Sequence, residues 1–255
     1  MVCMKHWIST LATALLALAF SSCLNLDDGT RYVREFGLMG TVTSGGVNPV
    51  FQMEEGFSVT TTNAVPADTF EVGERYFLHF ILGDTINHAA NLYPIKLYRF
   101  AKTNLKPFVV LEEDSTDVWK NQPVGMQGLW YSGQYCNIVF STFMGVGTPN
   151  TIELVRMKGD ETTTPTDTAP KLYFELRHNV ANYSAYYSST KFYSFDLSSL
   201  ETDFPNAVKY SITVKWNEEG HGTSSYNQWY VPNKLIPVSE VFSKEKNTID
   251  LESSF

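Results

Sequence analysis

An all-β fold is what the sequence predicts, on three observations. After the N-terminal segment no stretch of ten or more residues carries an apolar stripe at helical spacing. Period-two or solidly apolar runs recur instead, bounded by Gly, Pro, Asn and Asp. Aromatic residues make up 14% of the chain, with 17 Phe, 14 Tyr and 5 Trp, and such side chains suit a pleated, half-buried surface. At 255 residues, 43% hydrophobic and 18% charged, the chain is long and apolar enough for one large or two small domains. Its formal net charge of -8 argues against a nucleic-acid surface, which needs a basic footprint.

The chain opens on an address. Lys5 precedes an apolar run from Trp7 to Phe20, too short to cross roughly 30 Å of hydrocarbon comfortably, so residues 1–22 read as a signal peptide. The run ends in Phe20-Ser21-Ser22-Cys23, which resembles the lipobox of bacterial lipoproteins, where cleavage leaves Cys23 N-terminal and acylated. Phe20 departs from the usual Leu but is still apolar. Two or three acyl chains on Cys23 would hold the membrane durably, where one alone is marginal. The acidic body gains nothing from anionic lipid, so the acyl chains would carry the attachment alone. Residues 23–31 form the lipidated tether. Within it Asp27 and Asp28 resemble the export signal that sends Bacteroidetes lipoproteins to the outer cell surface; a merely solvated tether is the alternative. The expected location is the outer membrane, with the leaflet left open.

A first domain is expected over 32–109. Strands are predicted at 32–43, 48–53, 56–62, 74–82 and 93–100, with Gly40 relieving a sharp bend. Glu74–Leu82 is apolar on both alternating sets, as in a barrel strand with one face inward and the other covered. Five strands in about 80 residues fit an OB-like barrel; an open sheet with a hairpin is the alternative. Residues 110–124 read as a linker kept solvated by Glu112, Glu113 and Asp114.

A second domain, an antiparallel β-sandwich, is expected over 125–255. Its strands are predicted at 128–141, 150–157, 171–178, 191–197, 207–216 and 225–231. Lys209–Trp216 is the plainest, with Tyr210, Ile212, Val214 and Trp216 on one face and Lys209, Ser211, Thr213 and Lys215 on the other. Asn217–Gly222 supplies turn residues for a hairpin that returns along 225–231. Residues 159–170 contain nothing to bury and read as a loop.

Chemistry-bearing patterns are sparse. The densest ligand set, Glu218-Glu219-Gly220-His221, sits on the predicted turn, so neither a metal nor any other cofactor is expected. Two S-x-x-K matches, at 188–191 and 243–246, lack the partner motifs of a Ser nucleophile. Cys136 shares an apolar strand face with Ile138 and Phe140 and reads as core. The remaining candidates are aromatic. Trp130, Tyr131, Tyr186 and Tyr187 form the candidate binding surface, since aromatic faces stack on sugars or anchor proteins; core packing is the competing role. Trp130 and Tyr131 are adjacent, so a strand turns them to opposite faces. Asp84-Thr85-Ile86, Asp114-Ser115-Thr116 and Asp167-Thr168-Ala169 resemble O-glycosylation acceptors of Bacteroides-type bacteria.

Taken in order, the lipobox with Asp27-Asp28-Gly29, Gly73-Glu-Arg-Tyr-Phe77, Trp130-x-x-Gly133-x-Tyr135-Cys136-Asn137-Ile138, Leu172 to Asn179 and Phe192-Tyr-Ser-Phe-Asp-Leu197 resemble the NigD-like lipoproteins of Bacteroidetes. The resemblance spans nearly the whole mature chain and implies an OB-like domain followed by a β-sandwich. It brings an association with bacteriocin immunity or secretion but no established activity and no functional residues. The expectation is therefore a non-catalytic binding module, tied to the membrane by its lipid and meeting a protein or glycan partner at the cell envelope. Two alternatives stand beside it: a glycan-binding accessory protein of polysaccharide uptake, and a hydrolase, which would need two carboxylates to converge at about 5 to 9.5 Å.

Overall fold

The computed structural model describes residues 35–83, 91–111, 121–143, 150–157, 164–180, 188–218 and 220–232, all within the compact unit Glu35–Phe255. The first five strands are β1 (Glu35–Ser44), β2 (Val50–Met53), β3 (Ser58–Thr61), β4 (Arg75–Leu82) and β5 (Leu92–Lys102). They close into a barrel of order β1-β2-β3-β5-β4, antiparallel except where β3 runs parallel to β5. This is the OB-like barrel the sequence predicts. Closure requires β1 to serve two partners: Gly40 and Thr41 face Met53 and Gln52 of β2 while also facing Tyr76 and Arg75 of β4. Gly40 is where the strands crowd, because a Cβ there would lie 2.8 Å from Met53 Sδ and 3.2 Å from Phe51 Cβ.

The barrel interior is filled by Phe51, Phe57, Phe70, Tyr76, Leu78, Phe80, Tyr93 and Ile95 with their aliphatic neighbours. Strand β4 explains its double apolar pattern. Tyr76, Leu78 and Phe80 point into the barrel, whereas Phe77 joins Met39, Val139 and Phe192 in a second cluster that the two domains share. Phe77 and Phe192 stack with centroids 5.1 Å apart.

Among the described residues nine more strands form the second domain: β6 (Asn104–Pro107), β7 (Val109–Leu111), β8 (Val124–Ser132), β9 (Tyr135–Phe143), β10 (Asn150–Met157), β11 (Lys171–Val180), β12 (Ser188–Asp196), β13 (Tyr210–Glu218) and β14 (Gly222–Tyr230). One helical turn, α1 (Ser199–Asp203), buries Leu200. A continuous sheet of order β6-β12-β9-β8-β13-β11-β10-β7, with β14 on β13, folds at the single bridge Val124–Glu218 into two leaves. The sandwich core lies between them and draws Ile138, Phe140 and Phe195 from one leaf and Ile152, Leu172, Phe174, Ile212 and Val214 from the other.

Three features were not foreseen in the sequence. The predicted strand 128–141 is a hairpin, β8 and β9, whose loop opens with Gly133 at φ +54, a conformation glycine adopts without a Cβ penalty. The sandwich is mixed rather than wholly antiparallel, since β11 runs parallel to β13. Parallel neighbours need a long crossover, and β12 with α1 supplies it. Finally, β6 and β7 follow β5 at once and join opposite ends of the sheet, β6 on β12 and β7 on β10. The residue between them, Phe108, is 9% exposed and packs edge-on against Phe174 at 5.3 Å. Of the expected linker 110–124, Val110 and Leu111 belong to β7, Val124 opens β8, and 112–120 lie outside the described residues.

Candidate functional site

The densest polar cluster lies where barrel meets sandwich. Arg75, at the start of β4, is 2% exposed and ion-pairs with Glu54, which sits in the turn after β2. Glu54 also accepts from Ser132 Oγ and from Asn137 Nδ2, the latter at 3.0 Å. Ser194 Oγ donates to Asn137 Oδ1 at 2.6 Å and accepts from Arg75 at 3.3 Å. The guanidinium lies 3.7 Å from the Tyr135 ring centroid. Burial lowers the Arg75 pKa to about 10, so it is still charged at neutral pH. A buried charge needs a partner and hydrogen bonds, and this one has both. Barrel and sandwich both contribute groups, and the cluster works as a clasp between them.

Other groups able to do chemistry are buried or bonded within the fold. Cys136 is fully buried, and burial pushes its thiol up to about 12. A thiol in that state is a poor nucleophile. His178 is fully buried, and burial lowers its pKa. Glu218 accepts from Ser224 across the β13–β14 hairpin. Among the described residues no three His, Cys, Asp or Glu side chains converge as a metal site would require.

A concavity opens instead at the seam of the sandwich, where β8 ends one leaf and β13–β14 extend past it. The groove holds about 190 Å³ and is lined by Met126, Gly128, Leu129, Trp216, Ser225 and Tyr226, with Gln127 beside them. The pairing of β8 with β9 shifts register between Met126 and Gly128, a bulge that bends the strand at the groove wall. Trp216 is 8% exposed, and its indole Nε1 finds no acceptor among the described residues. Tyr226 is 45% exposed. On the opposite face of β14, Trp229 is 54% exposed with Lys209 Nζ 4.4 Å from its ring centroid.

The aromatics singled out from the sequence are placed elsewhere. Trp130 and Tyr131 do turn to opposite faces of β8, and both pack inward: Trp130 on the cluster shared with the barrel, Tyr131 on the sandwich core with its ring 5.5 Å from Tyr230. Tyr186 and Tyr187, like Cys23, Asp27 and Asp28, lie outside the described residues, as do the acceptor-like triplets at 84–86 and 114–116. Tyr226 and Trp229 were missed. Their strand was predicted, but nothing local says that it borders a gap.

Residues 107–230 match the profile of the NigD-like C-terminal β-sandwich domain. No functionally curated protein matches the sequence. Among solved structures, a protein of unknown function from Bacteroides vulgatus ATCC 8482 is similar at 20% identity and a TM-score of 0.62, covering 77% of this chain and 91% of its own. A NigD-like immunity protein from Bacteroides caccae ATCC 43185 shares 14% identity at a TM-score of 0.51, covering 79% and 98%. A candidate lipoprotein from Bacteroides fragilis NCTC 9343 shares 16% identity at a TM-score of 0.50, covering 77% and 96%. At these identities the structures speak for the fold alone, and the profile match identifies residues 107–230 as a NigD-like C-terminal β-sandwich domain.

Proposed function

We propose that this protein is a non-catalytic interaction module held at the outer membrane by acylated Cys23. One observation carries the reading: the buried Arg75–Glu54 pair and the buried Cys136 thiol are spent on structure, while the open groove is walled by apolar and aromatic groups with Tyr226 its single titratable member among the described residues. Such a groove can recognise but holds no acid–base pair. The lipobox and Asp27-Asp28 supply the anchor and the route outward. The immunity name of the Bacteroides caccae structure, set beside the same fold here, makes a protein toxin the favoured class of partner.

The test is metabolic labelling with an alkyne-bearing fatty acid, followed by membrane fractionation and capture of partners through the acylated protein. Label is expected on the wild type and absent from Cys23→Ala, which leaves the membrane fraction. An unlabelled wild type, or one found in the cytosol, overturns the anchor. Exposed Trp229 favours a second reading, a glycan-binding accessory protein. Silence of the folded chain on a glycan array removes it.

A further inference from the structure

The three ends of the sandwich sheet are built differently. Strands β6 and β7 are four and three residues long, and β6 carries Lys106 and Pro107, devices that discourage further pairing. Strand β14 is nine residues long and reads GTSSYNQWY, without a charge or a proline. It pairs with β13 from Tyr210–Tyr230 to Glu218–Gly222 with no register break, and among the described residues no strand meets its other edge. A long, straight, uncharged edge presents a free row of backbone N–H and C=O groups.

We infer that the open edge of β14 pairs antiparallel with β14 of a second copy of this chain, about a two-fold axis at Tyr226. The inference takes the β14 side as the interaction surface of the proposed function and is independent of the lipid anchor. Charge selects the occupant. Two copies of a chain with net charge -8 repel over most of their surface, yet β14 brings no charged side chain opposite its own copy. A two-fold on Tyr226 sets it against its counterpart beside the groove, Ser224 against Gln228, Ser225 against Asn227 and Thr223 against Trp229. Faces match as well. Alternation puts Tyr226 and Gln228 on the core side, opposite Val214 and Ile212, and Asn227 on the outer side, where it bonds Ser211 and Thr213. Pairing therefore covers Tyr226 and Trp229, the exposed aromatics of this strand. A single strand pair lies at the low end of specific interfaces, at roughly 1,200 Å² in total or less, so the dimer is concentration-dependent.

Directly opposed residues in an antiparallel pair have Cα atoms about 4.5 or 5.5 Å apart, within disulfide reach. Full-length Tyr226→Cys, expressed in its own cells and oxidised, is expected to link to itself at twice the chain mass. Thr223→Cys alone is expected not to link, whereas Thr223→Cys with Trp229→Cys does. Val72→Cys, more exposed still and in the loop before β4, serves as background. Ser225→Lys with Asn227→Lys opposes like charges across the axis and is expected to lower linking of Tyr226→Cys at least tenfold, and Ser225→Lys with Asn227→Glu to restore it. Self-linking no better than Val72→Cys overturns the inference, as does a product whose added mass is that of another protein. Neither result bears on acylation at Cys23, so the two readings fail separately.

Discussion

The barrel returns on itself: β5 runs back to β3, β1 serves β2 and β4, and each strand has a neighbour on both sides. The sandwich stops short. Its sheet folds once at Val124–Glu218 and, among the described residues, leaves β14 with one partner and a groove beside it. Closure hides backbone and leaves mainly side chains for recognition, while an open seam offers both, so the sandwich is the half suited to meeting other molecules. The barrel has a different task. Its outer face at Met39, Phe77 and Arg75 is given over to gripping the sandwich through one apolar stack and one polar clasp.

The clasp should break this comparison most forcefully. Arg75→Leu strands Glu54 as a buried unpaired charge and is expected to cost about 3–5 kcal/mol by urea denaturation, whereas Glu54→Leu with Arg75→Leu costs less than the sum of the two single changes. Equal, additive losses would show the two groups acting alone. Phe192→Ala removes the stack on Phe77 and is expected to cost about 3 kcal/mol. Here the informative readout is cooperativity: barrel and sandwich probes should separate into two transitions, and coincident curves would place the coupling elsewhere.

Glu55 sharpens the comparison through pH. It is 9% exposed in the turn after β2, its Oε2 has no partner among the described residues, and burial raises its pKa to about 7. The folded state thus binds its proton more tightly than the unfolded chain, whose carboxyl titrates near 4.5. This stabilisation is complete below pH 4.5 and is lost as pH rises through 7. The expected loss is at most about 3 kcal/mol and should vanish in Glu55→Gln. A pH profile identical in wild type and variant would refute it. Least affected is the exposed edge, where Trp229→Ala should change stability by no more than about 0.5 kcal/mol, measured in the same urea series.

Much of this was legible in the chain. Lys209–Trp216 announced its two faces by strict alternation, and the doubly apolar Glu74–Leu82 announced that something covers the barrel strand. The clasp was not legible, because Arg75, Glu54 and Ser194 are ordinary surface residues by type, and only long-range pairing removes them from water. Strands of three and four residues around Phe108 are shorter than any periodicity can register. Trp130 and Tyr131 looked available because alternation says which residues share a face but not what lies against that face.

Period-two patterning and turn residues determined that this chain makes strands, roughly where, and in two groups, since side-chain alternation is a local property of extended backbone. Which strands became neighbours was decided by tertiary structure alone: the partner of β14, the covering of Trp130, the burial of Arg75. Those outcomes depend on contacts between residues far apart in sequence, where no local periodicity reaches.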